Sequence, residues 1–191
     1  MVQALWRRLD GPGHDAARID SVGDRLRLWG HAAFAHGVSP ASLAYVVEMA
    51  ASGEALSGRV LGFVGDLIVD QTITRVGGDW LLNGRPQGLS GSGRSGLVDL
   101  DFGFTPATNW QQLKRAALAV GQEARFDVAW LDAGALRIER LPQVYRRTGE
   151  LTYAYEAPTF GYRATLTLAA SGFVVDYPGL WAMETGAEAP G

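Results

Sequence analysis

Hydrophobic and polar residues alternate along most of this chain with a period of two, the period of a half-buried strand. The cleanest case begins at residue 98. Val98, Leu100, Phe102 and Phe104 fall on one face; Asp99, Asp101, Gly103 and Thr105 fall on the other. Thr105-Pro106 then ends the ladder, because proline has no N–H to donate. The same alternation predicts strands at 3–9, 25–34, 59–64, 67–76, 79–82, 123–131, 136–141, 144–147, 151–155, 160–169 and 173–177. Glycine and proline punctuate them at Gly11-Pro12-Gly13, Gly23-Asp24, Gly65-Asp66, Gly77-Gly78, Thr148-Gly149, Ser171-Gly172 and Pro178-Gly179. Asn83-Gly84 has the residues of a tight hairpin turn. Pro142 interrupts the run between 136 and 147. Many short strands broken by regular turn signals describe an all-β domain.

Two stretches read both ways. In 39–51, Ser39 and Pro40 suit a helix start, and Leu43, Val46, Val47 and Ala50 have helical spacing. Yet Leu43, Tyr45, Val47 and Met49 also alternate, and the strand-rich context favours a strand. In 109–120, Asn109 suits a helix cap, with Leu113, Ala116, Ala117 and Val120 facing inward and Gly121 as the stop. The alternative is a turn and a strand over 114–120. Residues 14–22 are ambiguous. Residues 184–191 have the composition of a flexible tail.

With 191 residues, one domain over 1–183 plus that tail is the expected organisation. At 47% hydrophobic and 10% aromatic, the chain can bury a large core. It has no cysteine, which excludes disulfides, thiolate metal sites and cysteine nucleophiles. The net charge is −3, and the basic residues are dispersed arginines with Lys114 as the sole lysine, so no nucleic-acid footprint is expected. No run approaches the length of a transmembrane helix. In the first ten residues the arginines follow the apolar run, opposite to a signal peptide, and a cytoplasmic location is the default.

Candidate chemistry is sparse. Gly91, Gly93 and Gly96 match a dinucleotide-binding pattern in letters, but the helix that the mechanism requires does not follow. A glycine-rich loop at 84–96, able to act as a lid over a cavity, is the alternative. Asp99 and Asp101 point the same way about 7 Å apart by strand rise. That overlaps the separation of glycosidase carboxylates, but those flank a bond instead of sharing one face. The alternatives are an Arg-paired strand face, with Lys114 or Arg115 as partner, and contact with a polar ligand. His14, His31 and His36 have no metal-ligand spacing, and no nucleophilic serine motif occurs. No cofactor and no metal are expected.

Three segments, taken together, resemble the bacterial putative glycolipid-binding family. They are Asp79-Trp80 followed by VDLDFGFTPATN, then Gln143-Val144-Tyr145-Arg146, then GFVVDYPGLW from Gly172 to Trp181. The chain departs from the family pattern after Asn109, where Trp110-Gln111-Gln112-Leu113-Lys114-Arg115 contains no proline and has a lysine at one of the two basic positions. The resemblance implies a spiral β-roll: an antiparallel, strongly curved sheet, half open, with at most one short helix. It resolves both ambiguous stretches as strands. It also implies non-catalytic binding of an amphipathic small molecule, a lipid or glycolipid, on the concave apolar face. Asp99, Asp101, Thr105, Asn109 and Arg115 are the expected polar contacts, with Trp80, Tyr145 and Tyr177 in the wall. The rival readings are a hydrolase or isomerase using Asp99 or Asp101 as general acid or base, and an interaction scaffold with no cavity.

Overall fold

Fifteen strands hydrogen-bond into one continuous sheet in the computed structural model, which describes residues 1–89, 97–135 and 137–186. The first eight are β1 (Val2–Arg8), β2 (Gly13–Val22), β3 (Arg25–His36), β4 (Ser39–Ala50), β5 (Ala55–Val64), β6 (Leu67–Val76), β7 (Asp79–Leu82) and β8 (Arg85–Pro86). The rest are β9 (Leu100–Phe102), β10 (Glu123–Leu131), β11 (Glu139–Arg147), β12 (Thr152–Ala157), β13 (Tyr162–Leu168), β14 (Val174–Tyr177) and β15 (Trp181–Gly186). The spatial order is β8-β7-β6-β5-β4-β3-β2-β1-β15-β14-β13-β12-β11-β10-β9. Strands β1 to β8 form one meander and β10 to β15 another, and β1 and β15 zip the halves together from Ala4↔Gly186 to Arg8↔Trp181. The ends β8 and β9 do not pair with each other, so the curved sheet stays open. Every pairing is antiparallel except β9 with β10.

The turn chemistry follows the sequence. Asn83 and Gly84 both have positive φ (50° and 76°), as a two-residue hairpin joining β7 to β8 requires. Residues 14–22 are strand, within β2. Residues 43–49 lie in β4, as the alternation indicates. Pro142 does not split its strand. It lies within β11 ahead of Val144, where pairing with β12 begins, so its missing N–H strands no β12 partner.

The second ambiguous stretch is a correction: it is helical, not strand. A 3₁₀ turn, Ala107–Asn109, runs into α1 (Trp110–Ala116), which closes at Ala117 in the left-handed region. Gln111 and Gln112 are fully buried within α1. The amide of Gln111 donates to the carbonyl of Leu100 at 2.7 Å and accepts from the Leu100 N–H at 3.4 Å. It works as a partner strand one residue long on the side of β9 that faces away from β10. A helix can supply that contact; a strand continuing from residue 109 could not turn back to do so.

Residues 97–113, Gly103 excepted, are buried and fill the concavity of the roll. The two faces of 98–104 meet different halves of the sheet. Phe102 and Phe104 stack at 5.4 Å, and Tyr45 of β4 packs edge-on to both. Gly58 of β5 lets Leu100 close in, since a Cβ there would lie 2.5 Å from its Cδ2. Each such fully buried side chain contributes about 1.5–3 kcal/mol. The acidic face turns instead towards α1 and β11. Three indole N–H groups tie the layers: Trp80 to the Leu97 carbonyl (2.9 Å), Trp110 to Ser171 (3.0 Å) and Trp6 to Val174 (2.6 Å).

β15 runs to Gly186, three residues into the expected tail. Residues 187–191 lie outside the described residues, as do Gly91, Gly93 and Gly96, most of the proposed lid, and Leu136. No helix among the described residues is long and apolar enough to cross a membrane.

Candidate functional site

Asp101 stands at the centre of the inner face. It is 5% exposed, yet it lines a cavity of about 260 Å³ between the buried segment and the C-terminal half of the sheet. Its two oxygens are engaged. Thr108 donates its hydroxyl to Oδ1 at 2.6 Å, and Gln143 donates Nε2 to Oδ2 at 2.7 Å. Gln143 in turn accepts from the Tyr145 hydroxyl (3.2 Å), which accepts from Asn109 Nδ2 (2.7 Å). Burial raises the Asp101 carboxyl above the ordinary carboxylate range, against the lowering effect of Thr108 and Gln143. The walls are aromatic. Tyr155, Tyr162 and Tyr177 have ring centroids 5.6–6.0 Å apart, and Trp130 packs on Phe160 at 5.2 Å.

Of the eight residues singled out in the sequence, Asp101, Thr105, Asn109 and Tyr177 line this one cleft. Tyr145 is fully buried behind it, joined through Asn109. Asp99 and Arg115 bind each other: Arg115 Nη2 and Nε donate to Asp99 at 2.5 and 3.2 Å, the Arg-paired alternative. Burial still raises the Asp99 carboxyl, with Arg115 acting in the opposite direction. Trp80 is fully buried and donates to a backbone carbonyl, apart from the cleft. Thr105 is turned to β2, donating to Asp15 at 2.5 Å; Tyr45 donates to the same carboxylate at 2.9 Å. Burial pushes Asp15 up to about 7. Among the described residues no His, Cys, Asp and Glu side chains group as metal ligands.

The larger hollow, about 830 Å³, lies on the outer face of the N-terminal half. Cross-strand register builds it from two adjacent rungs. One rung is Leu5, Ala16, His31, Ala44 and Leu61, aligned across β1 to β5. The next is Gln3, Arg18, Trp29, Val46 and Arg59. The methyl side chains of Ala16 and Ala44 leave the floor low, while Trp29 (43% exposed) and Leu61 (39% exposed) stand above it. Arg18 lies over the Trp29 ring at 5.3 Å and donates Nη2 to Asp20 at 2.7 Å. Its Nε–H is buried without an acceptor among the described residues.

None of these outer residues was singled out from the sequence. The available signal was Trp29, a tryptophan on the same strand face as Arg25 and Arg27. An isolated apolar residue on a polar face is ordinary. Only the pairing of five strands turns Trp29, Val46 and Leu61 into neighbours.

The fold matches that of a DUF1089 family protein from Pseudomonas aeruginosa, solved by crystallography, with a TM-score of 0.72. The two are 23% identical, and the match covers 88% of this chain and 91% of that one. No curated protein matches the sequence. The family model described as "Putative glycolipid-binding" matches residues 3–183, from β1 to the middle of β15, so the buried segment and the inner cleft lie within it, as does the lining of the outer hollow except Thr185 and Gly186. This chain belongs to that family.

Proposed function

We propose that this protein binds an amphipathic small molecule, a lipid or glycolipid, without transforming it, and that the apolar part occupies the outer hollow. The inner concave face, where the family resemblance implies the ligand, is filled by the protein's own residues 97–113. The room left there suits a head group and not a chain. The outer hollow has the volume and apolar lining of small-molecule sites, which run from roughly 300 to 1,000 Å³.

The observation that carries this reading is an apolar hollow of about 830 Å³ edged by two guanidinium groups, Arg18 stacked on Trp29 and Arg59 on the same rung. The apolar lining suits a hydrocarbon part, and the two cations suit a polar or anionic head. The name of the family agrees with such a ligand. The hydrolase or isomerase reading draws on the desolvated Asp101, and it is weaker because both oxygens of that carboxylate already accept hydrogen bonds.

Native mass spectrometry of freshly purified protein, before and after solvent extraction, tests the proposal. The expected result is an extra mass of lipid size that extraction removes, with re-uptake of a long-chain alkyl glycoside or fatty acid that perturbs Trp29 fluorescence. Bare chain mass together with no uptake of either probe overturns it.

A further inference from the structure

The inner cleft carries a separate inference, independent of the outer hollow. Asp99 and Asp101 are two residues apart on the same face of the same segment, and both are buried. Their partners differ in kind. Asp99 has the guanidinium of Arg115; Asp101 has only the neutral Thr108 and Gln143. No Arg, Lys or His lines the cleft among the described residues, and Asp99 acts on Asp101 as a like charge. A buried carboxylate without a cation is costly to ionise, and proteins ordinarily pair such a group.

The donors at the floor of the cleft are already committed. Thr108 and Gln143 donate to Asp101, and Asn109 donates to Tyr145. What the floor still offers is a buried carboxyl group that a cation would hold ionised, and what the walls offer is aromatic side chains: Tyr155, Tyr162, Tyr177, Trp130 and Phe160. Aromatic faces attract cations through their quadrupoles, and a desolvated site strengthens that attraction. Phe160 is 55% exposed, which puts it at the mouth. Aromatic walls, a carboxyl group without a cation and about 260 Å³ of room describe a receptacle for a small alkylated ammonium group.

We propose that the cleft between Asp101 and the tyrosine cluster binds an organic cation of the quaternary or alkylammonium class. The cation supplies the charge that Asp101 lacks and rests against the rings of Tyr162, Tyr177 and Trp130.

Isothermal titration calorimetry with choline, tetramethylammonium, 3,3-dimethyl-1-butanol and methyl glucoside tests this on the full chain. The butanol has the shape of choline without the charge. The expected result is saturable binding of choline and tetramethylammonium, with the butanol and the glucoside at least tenfold weaker. Asp101→Asn, checked for fold by circular dichroism, should weaken choline at least tenfold. Should that variant fail to fold, Phe160→Ala at the exposed mouth serves instead and should weaken choline severalfold. Equal affinity for choline and its neutral isostere overturns the proposal. So does preferential binding of methyl glucoside, or choline affinity unchanged in the folded Asp101→Asn variant or, where that variant fails, in Phe160→Ala.

Discussion

Thr105 and Asp15 are 90 residues apart in sequence and joined by a hydrogen bond of 2.5 Å. With Tyr45, whose hydroxyl lies 2.9 Å from Thr105 Oγ1, they fasten the buried segment to β2 and β4. The carboxylate has no exposure and no cationic partner, so burial holds it protonated up to about pH 7 against an ordinary value of 3.8. Because the folded pKa is raised, the contribution of Asp15 is fully present below about pH 4 and is lost as pH rises through about 7. Three pKa units correspond to about 4 kcal/mol. Denaturant unfolding at pH 4, 6 and 8 should show Asp15→Asn less stable than the native chain at pH 4 and closing that gap by pH 8. A gap independent of pH would show that Asp15 does not titrate in this range.

Gln111 closes the free side of β9, and its removal isolates the Leu100 N–H and C=O inside the protein. Each unsatisfied buried group costs about 1–3 kcal/mol. We expect Gln111→Ala to lose about 2–4 kcal/mol in urea unfolding. Hydrogen exchange should show the Leu100 amide losing protection while β3 and β4 keep theirs. Uniform loss across the sheet would mean that the amide supports packing in general and not this edge.

The strands were legible because their signal is local. Arg25 to Phe34 alternates, and it folds as the alternation says. The helix at Trp110–Ala116 was half legible: Asn109 before Leu113 and Ala116 has helical spacing, but the same stretch also reads as a turn and a strand, and the family resemblance favoured the strand. Gln111 and Gln112 blur that pattern, because they are buried to serve backbone and not to avoid water. The acidic face of Asp99 and Asp101 was legible as a face. That both faces are buried was not, because the second half of the sheet closes over it with Gln143, more than forty positions downstream. The outer hollow was illegible for the same reason: Leu5, Ala16, His31, Ala44 and Leu61 are neighbours only through register.

Ala117 ends α1 with φ 44° and ψ 44°, the left-handed region that a Cβ disfavours by about 1–2 kcal/mol. Its N–H closes on the Leu113 carbonyl at 3.2 Å, the position glycine prefers after a helix. Ala117→Gly should therefore stabilise the protein by about 1 kcal/mol, or about 2–4 °C in Tm for a chain of this size. A thermal melt checks it, and an unchanged or lower Tm would show that backbone entropy outweighs the relieved strain.

Ala44 offers the sharpest control of the outer hollow. It lies in the floor between His31 and Leu61, and its side chain points to solvent, so a larger residue there meets no packed core. Surface substitutions of that kind shift stability by only about 0.5 kcal/mol. Ala44→Trp should keep the native Tm and abolish the lipid-sized mass in native mass spectrometry. Trp29→Ala removes a wall and the platform of Arg18, and it should weaken uptake of an alkyl probe about tenfold. Neither change touches the inner cleft, so choline titration should be the same in both variants as in the native chain. If Ala44→Trp folds normally and still carries lipid, the ligand is held elsewhere on the molecule.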